Sequence, residues 1–243
     1  MNDDIKIYAC THVNFEIPKN KMFVPISTNP DLIMPEAIKA YEGDNIGYKS
    51  QGYSELAALY WVWKNAHLTE YTGLCHYHRF LNVKSERIKQ IVDEKKLITT
   101  EVALINDIKT QYSQCHNIND LNQIQKIIDN KYTSFKISFL EAENKRFLNI
   151  GNLFIMKSDD MIQYCNVLFD ILFEFDKENN LNSSEDFINR VKNCTDKSYS
   201  NGNSNINYQS RIDGFLAERI WTWYIANFFP DPYIVDIASY PTN

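Results

Sequence analysis

The chain predicts an α/β fold with a helix-rich C-terminal half, and three observations lead there. Short apolar runs that read as buried strands occur at 5–11, in the first part of 71–81 and at 152–156. Segments with helical apolar spacing alternate with them, at 54–66, 112–130, 158–178 and 211–228. Internal repeats are absent, and 243 residues correspond to a single domain on the usual length prior of roughly 150 per domain.

Each element has its own reason. Ile5-Lys6-Ile7-Tyr8-Ala9-Cys10-Thr11 reads as a buried opening strand. Residues 14–35 carry Pro18, Pro25, Pro30 and Pro35 and read as loop. Gly43-Asp44-Asn45-Ile46-Gly47 is a turn by composition. In the 54–66 helix, Leu56, Leu59, Tyr60 and Trp63 recur at helical spacing. The strand from Tyr71 ends in the polar cluster His76-Tyr77-His78-Arg79. Residues 84–95 read as a charged, solvated helix, and 97–105 as a short strand and turn. The helix expected at 112–130 aligns Leu121, Ile124, Ile127 and Ile128. The 158–178 helix is expected to be capped by Ser158, with Asp159 and Asp160 in its first turn. Residues 179–207 contain nine Asn and read as a loop-rich, mobile insertion in a domain spanning 1–243. Pro230 and Pro232 end the last helix.

Composition narrows the function. With 44% hydrophobic and 23% charged residues, the chain can build a globular core. A net charge of −6 gives no electrostatic signature of a nucleic-acid partner. The seven glycines cannot form a dinucleotide-binding G-x-G-x-x-G or a P-loop. Five scattered cysteines without C-x-x-C make neither a disulfide framework nor a zinc site, which fits a reducing cytoplasm. The start Met1-Asn2-Asp3-Asp4 lacks the basic region of a signal peptide. With no apolar run long enough to span a bilayer, any membrane attachment is expected to be peripheral.

Three clusters carry chemistry. His76-Tyr77-His78-Arg79 falls where a strand ends, and ligands of open α/β sheets sit beyond the carboxyl ends of strands. Strand alternation places His76 and His78 on one face, Tyr77 and Arg79 on the other. Such a cluster fits a diphosphate-like anion or a metal, or equally a polar strand end whose imidazoles satisfy backbone groups. Glu218, near Phe215 and Trp221, fits a general base with a raised pKa, or a surface carboxylate paired with Arg211 or Arg219. Thr11-His12, at the end of the first strand, could grip a base or ribose.

Beyond these clusters the chain resembles a family. Four blocks are similar to the bacterial family called "domain of unknown function 4422", whose members sit among capsule and surface-polysaccharide glycosyltransferases. They are 5–12, ending in Thr11-His12; the stretch from Gly43-Asp44-Asn45-Ile46 through Glu55-Leu56-Ala57-Ala58-Leu59-Tyr60-Trp61-Val62-Trp63-Lys64-Asn65 to Gly73-Leu74-Cys75-His76-Tyr77-His78-Arg79-Phe80; Asn152-Leu153-Phe154-Ile155-Met156-Lys157 with Tyr164-Cys165; and Arg211 with Gly214-Phe215-Leu216-Ala217-Glu218-Arg219. Tyr112 and His116-Asn117-Ile118-Asn119-Asp120-Leu121 form a further match.

The resemblance implies a GT-A-like fold and a nucleotide-sugar-dependent glycosyltransferase, with galactofuranose from its UDP donor as the best-matched sugar. It implies a glycan or lipid-linked acceptor in surface-polysaccharide synthesis, with the protein at the inner face of the cell membrane. On this reading Thr11, His12, Asp44, Asn45, His76, His78 and Arg79 bind the donor. Glu218 is the first candidate for general base and Asp213 the second, and Arg79 meets the charge on the departing diphosphate. Asn152, Arg211 and Arg219 line the acceptor or sugar pocket.

Two positions depart from the family pattern. Val13 stands where Lys is usual after Thr-His, and His78 replaces the first of two Arg in the His-Tyr motif. Strict Asp-x-Asp, which holds Mn²⁺ or Mg²⁺ on the donor in many GT-A enzymes, occurs nowhere; the looser matches are Glu141-x-Glu143 and Glu174-x-Asp176-x-Glu178. A divalent cofactor is therefore left open. The alternatives are a non-catalytic glycan- or nucleotide-binding module and a metal-dependent hydrolase built on His76 and His78.

Overall fold

The computed structural model describes residues 4–194, 199 and 204–240. Its first strand, β1 (Ile5–Thr11), is buried on both faces. Ile5, Ile7 and Ala9 enter one core, and Tyr8 and Cys10 the other. Alternation along a strand sends successive side chains to opposite faces, so a strand between two cores reads as continuously apolar. Strands β2 (Phe23–Ser27) and β3 (Ile38–Lys39) follow, parallel to β1 and to each other. β2 lies inside the stretch expected to be loop. Ile7 N donates to Met22 O, so the even-numbered amides of β2 face β1 and the Pro25 nitrogen faces outward. β3 pairs only from Ile26 onward, so proline there removes no ladder bond.

A one-turn helix α1 (Ser50–Tyr53) and α2 (Leu56–Asn65) come next, separated by Ser54 at φ 53°. β4 (Tyr71–His76) returns through the sheet beside β1. The chain then turns at Tyr77 and His78 into β5 (Phe80–Leu81), with His76 bridged to Arg79. The expected alternation of His76 and His78 on one strand face therefore ends at His76. α3 (Ile88–Lys95) buries Ile88, Ile91 and Val92, so the charged helix is solvated on one side only. β6 (Leu97–Thr99) and β7 (Val102–Ala103) lead into the helical part.

The single helix expected at 112–130 is two. α4 (Ile108–Cys115) stops at His116, whose backbone is extended, and α5 (Ile118–Lys131) restarts with Asn117 as its cap. α6 (Phe139–Glu143) is held by a capping box from Ser138 and Glu141. β8 (Phe147–Leu148) pairs with β7. β9 (Phe154–Lys157) is antiparallel to both β4 and β6. α7 (Ser158–Asn179) begins at Ser158, which is not its cap: the hydroxyl bonds Thr69 O and Thr72 Oγ1 instead. Asn180 ends it in the left-handed region.

The stretch expected to be a loop-rich insertion contains α8 (Ser184–Lys192) and α9 (Ile206–Gln209). Phe187 of α8 is fully buried; 195–198 and 200–203 lie outside the described residues. α10 (Ile212–Phe228) is buried all round, as a helix surrounded by others must be. From Ile212 to Ile225 every residue is buried except Glu218. β10 (Tyr233–Ile234) closes one sheet edge, and β11 (Ile237–Ala238) pairs with β5.

The main sheet has seven strands in the order β10-β6-β9-β4-β1-β2-β3, all parallel but β9. α2, α5, α7 and α10 cover one face, while α3 and the β5–β11 pair cover the other. The order of the strands brings the carboxyl ends of β1 and β4 side by side, where Tyr77 N donates to Cys10 O.

Candidate active site

The sheet edge at the ends of β1 and β4 gathers residues from five parts of the chain. Glu55, at the N-terminal end of α2, is 7% exposed. Its Oε1 accepts Asn152 Nδ2 at 2.8 Å and lies 3.9 Å from His76 Nε2. Its Oε2 lies 3.9 Å from Arg211 Nη2, and Arg211 Nε donates to Ser54 Oγ at 2.8 Å. The strained Ser54 backbone thus sits where it fixes a cation over Glu55.

Gly151 and Asn152 are consecutive residues at positive φ, 69° and 51°. Glycine has no Cβ to clash there, and asparagine tolerates the region better than most residues. The bend lets Gly151 serve two partners. Its carbonyl pairs with His76 Nε2 at 2.9 Å, and its amide donates to Glu218 Oε1 at 2.7 Å. A carbonyl only accepts, so Nε2 of His76 carries the proton. Asn152 is buried, and its Oδ1 has no partner among the described residues.

Glu218 Oε2 accepts Arg219 Nη1 at 2.8 Å. Arg219 is itself buried, bonded to Gln111 Oε1 and Phe215 O and set 4.9 Å from the Tyr112 ring centroid. The Glu218 side chain keeps 18% of its surface open, so the carboxylate is oriented from behind and reachable from the cleft. Burial, the largest influence, raises its pKa above the usual carboxylate value, with Arg219 opposing. Burial holds His76 below the usual imidazole value, with Arg79 acting in the same direction. The Cys10 thiol is pushed up by burial and is inert.

An exposed rim faces these groups. His12, Tyr77 and His78 form a run of rings with centroids 5.4 and 4.3 Å apart, and His78 lies 6.1 Å from His76. Arg79 is exposed beside them. Desolvation, then Arg79, His76 and His12, lower the pKa of His78.

The structure thus brings together His12, His76, His78, Arg79, Asn152, Arg211, Glu218 and Arg219. Thr11 stands at the same edge but is buried, with its hydroxyl occupied by the backbone of Val13. Two other expectations need correction. Asp44 and Asn45 bond Tyr60, Asn65 and their own turn at the far end of α2. Ten helical residues, about 15 Å, separate that end from Glu55, so these two hold a turn and do not join the cluster. Asp213 is fully buried and meets Asp176, which accepts Lys49 Nζ at 2.6 Å and Tyr53 OH at 2.8 Å. A carboxyl in that position has no path to an acceptor.

Glu55, Gly151, Ser54 and Gln111 are the members that sequence reasoning passed over. A carboxylate directly before the apolar run of α2 was the available clue to Glu55. Among the looser acidic motifs, Glu141 caps α6, Glu143 is buried beside Lys109, and Asp176 belongs to the core pair. Among the described residues no group of three or more His, Cys, Asp or Glu could hold a metal ion. No helix among them is long and apolar enough to cross a membrane.

Comparison with known proteins places this architecture. The model of the family described as "Domain of unknown function (DUF4422)" matches residues 6–196. The chain belongs to the DUF4422 family. The match takes in the Glu55–Arg79 unit and Gly151–Asn152, whereas Arg211 and Glu218 lie beyond it. No curated protein matches this DUF4422 chain. A solved structure, "WbbM bifunctional glycosyltransferase apo structure", is similar at 20% sequence identity and a TM-score of 0.69. The alignment covers 97% of this chain and 45% of that one, so the DUF4422 chain spans less than half the length of its structural neighbour. At that identity the likeness concerns the fold, and the α/β, GT-A-like architecture expected from the sequence is the one observed.

Proposed function

We propose that the protein is a glycosyltransferase that moves a sugar, best assigned as galactofuranose, from a UDP donor to a glycan or lipid-linked acceptor at the inner face of the cell membrane. One observation carries this reading. Gly151 ties the neutral His76 to Glu218, the one open residue in a buried stretch of helix, at the edge where β1 and β4 end. The structural neighbour's title and the family resemblance agree with it.

The chemistry follows from the positions. Glu218 takes the proton from an acceptor hydroxyl, and that oxygen attacks the anomeric carbon of the donor in one inverting displacement. The bond from that carbon to the diphosphate oxygen breaks, and the charge on departing UDP is met by Arg79, with His12 and His78 beside it. Arg219 and the Gly151 amide hold Glu218 in place. Divalent metals such as Mg²⁺ and Mn²⁺ take oxygen ligands, but the end of β4 offers imidazoles and a guanidinium. These residues do not fit such an ion, and the reading uses none.

The test is a thermal-shift series with UDP and UDP sugars, each with EDTA and with Mn²⁺. A bound nucleotide raises stability by about 2.7 kcal/mol at one hundred times its dissociation constant. A shift with a UDP sugar that survives EDTA supports the proposal, and slow UDP release from that donor would name the substrate. Absence of any shift with every nucleotide would leave a glycan-binding module in its place.

A further inference from the structure

A second concavity, of about 270 Å³, opens along α10 next to the cluster. Asn149, Thr222, Glu101, Lys145, Phe147 and Phe229 line it. It is joined to the candidate base by two parallel contacts. Glu218 accepts the amide of Gly151, and one helical turn later Thr222 Oγ1 accepts the amide of Asn149. The cavity continues past Thr222 to Ile225 and Ala226, so it occupies the next turns of the same helix, about 6–12 Å along the axis from Glu218.

Its lining has a distinct chemistry. Asn149 is 1% exposed; its Nδ2 donates to Thr100 O, and its Oδ1 has no partner among the described residues. A buried acceptor left unmatched costs roughly 1–3 kcal/mol, which a ligand hydroxyl would recover. Phe147 and Phe229 supply apolar faces, while Glu101 and Lys145 supply polar groups. Asp231 also lines the cavity, so two carboxylates stand against one ammonium. That balance disfavours a phosphate and suits a neutral polyol. The volume falls below the ~300–1,000 Å³ of pockets that bury drug-sized ligands, so a whole sugar nucleotide does not fit.

We infer that this cavity binds one neutral sugar residue of the acceptor glycan and presents its hydroxyl to Glu218. The assignment as acceptor site rests on the glycosyltransferase reading, whereas sugar binding at the cavity does not. Ala226 is half-buried on its wall, so Ala226→Trp fills the space from the side of a surface helix turn. Glu101→Ala removes an exposed polar group from the rim with no core disturbance.

Saturation-transfer NMR decides the matter, with methyl β-D-galactopyranoside, methyl α-D-glucopyranoside and methyl α-D-mannopyranoside as probes. The wild-type protein should transfer saturation to at least one of them. Ala226→Trp should abolish the transfer and Glu101→Ala should weaken affinity about tenfold, or ~1.4 kcal/mol, while both keep the wild-type thermal shift with UDP. No transfer to any probe, or transfer unchanged in both variants, overturns the inference. Cavity-dependent sugar binding in a protein that never responds to UDP would remove the acceptor assignment and the glycosyltransferase reading together. UDP binding without sugar binding would remove this inference alone.

Discussion

His76 and Glu218 are joined through a single residue: the Gly151 carbonyl pairs with His76 Nε2 and the Gly151 amide with Glu218 Oε1. β4 and α10 contribute groups from opposite halves of the sequence, and a left-handed bend at 151–152 connects them. An imidazole whose proton is committed to a carbonyl cannot also exchange protons with substrate from that nitrogen. Proton transfer therefore falls to Glu218.

Glu218→Gln preserves the size and both oxygen-side contacts in part but cannot accept a proton. Transfer to an acceptor should fall by about 10²–10⁴, the usual contribution of a general base. Donor binding should remain, read as an unchanged thermal shift with UDP. Because burial raises the Glu218 pKa, the acidic limb of the wild-type rate profile should lie above the ordinary glutamate range. Activity is lost as pH falls through that raised value. A limb at the ordinary carboxylate value, or a fully active variant, would assign the base elsewhere.

Arg79 is exposed at the turn after β4, so its removal leaves the core alone. Arg79→Ala should lower turnover by about 10²–10³, the cost of deleting one charge-stabilising group, with an unchanged melting temperature. Arg79→Lys should recover part of the loss, since a point charge replaces a planar fork. Near-wild-type turnover in Arg79→Ala would exclude the diphosphate role.

The parts of the fold that were legible in the sequence are those where burial is strongly periodic. β1, β4, β9, α7 and α10 were readable because each presents an apolar pattern that one or two cores enforce. β2 was hidden because Pro25 reads as loop, and only the pairing with β1 shows that its nitrogen faces outward. The break at His116 was hidden because α4 and α5 continue one apolar stripe across it. In the site, His76, Arg79 and Glu218 were visible as chemistry next to apolar runs. Asp44 was misplaced because a turn motif says nothing about which end of α2 it will bind. Glu55 was overlooked because its importance lies in contacts to Asn152 and Arg211, 97 residues away and further.

Gly52 gives a stability prediction independent of function. A Cβ there would lie 2.5 Å from ring atoms of Phe187, which is fully buried and cannot swing away. Gly52→Ala should destabilise the fold by about 1–3 kcal/mol, the usual cost of overpacking. Chemical denaturation should show a lowered midpoint at an unchanged slope. Adding Phe187→Leu should return part of the loss, whereas additive losses would place the strain elsewhere.

Asp213 makes the pH dependence of stability testable. Its carboxyl and that of Asp176 meet acceptor to acceptor, so a proton must join them. Burial, and then the neighbouring Asp176, raise Asp213 well above the usual aspartate value, while Lys49 and Tyr53 bond Asp176. The sign is fixed by where the proton sits. Below the ordinary aspartate pKa both folded and unfolded chains hold it, and the group does not oppose folding. As pH rises above that value the unfolded chain releases its proton first, so stability falls until the raised folded value is passed. Asp213→Asn removes this loss and offers an amide hydrogen to Asp176 Oδ1, which has no partner among the described residues. The variant should melt higher than wild type at pH 7, by about 2–4 °C for each kcal/mol gained, with the difference shrinking toward pH 4. A variant that melts lower at pH 7 would show that the Asp213 carboxylate is ionised in the fold and is needed there as a charge.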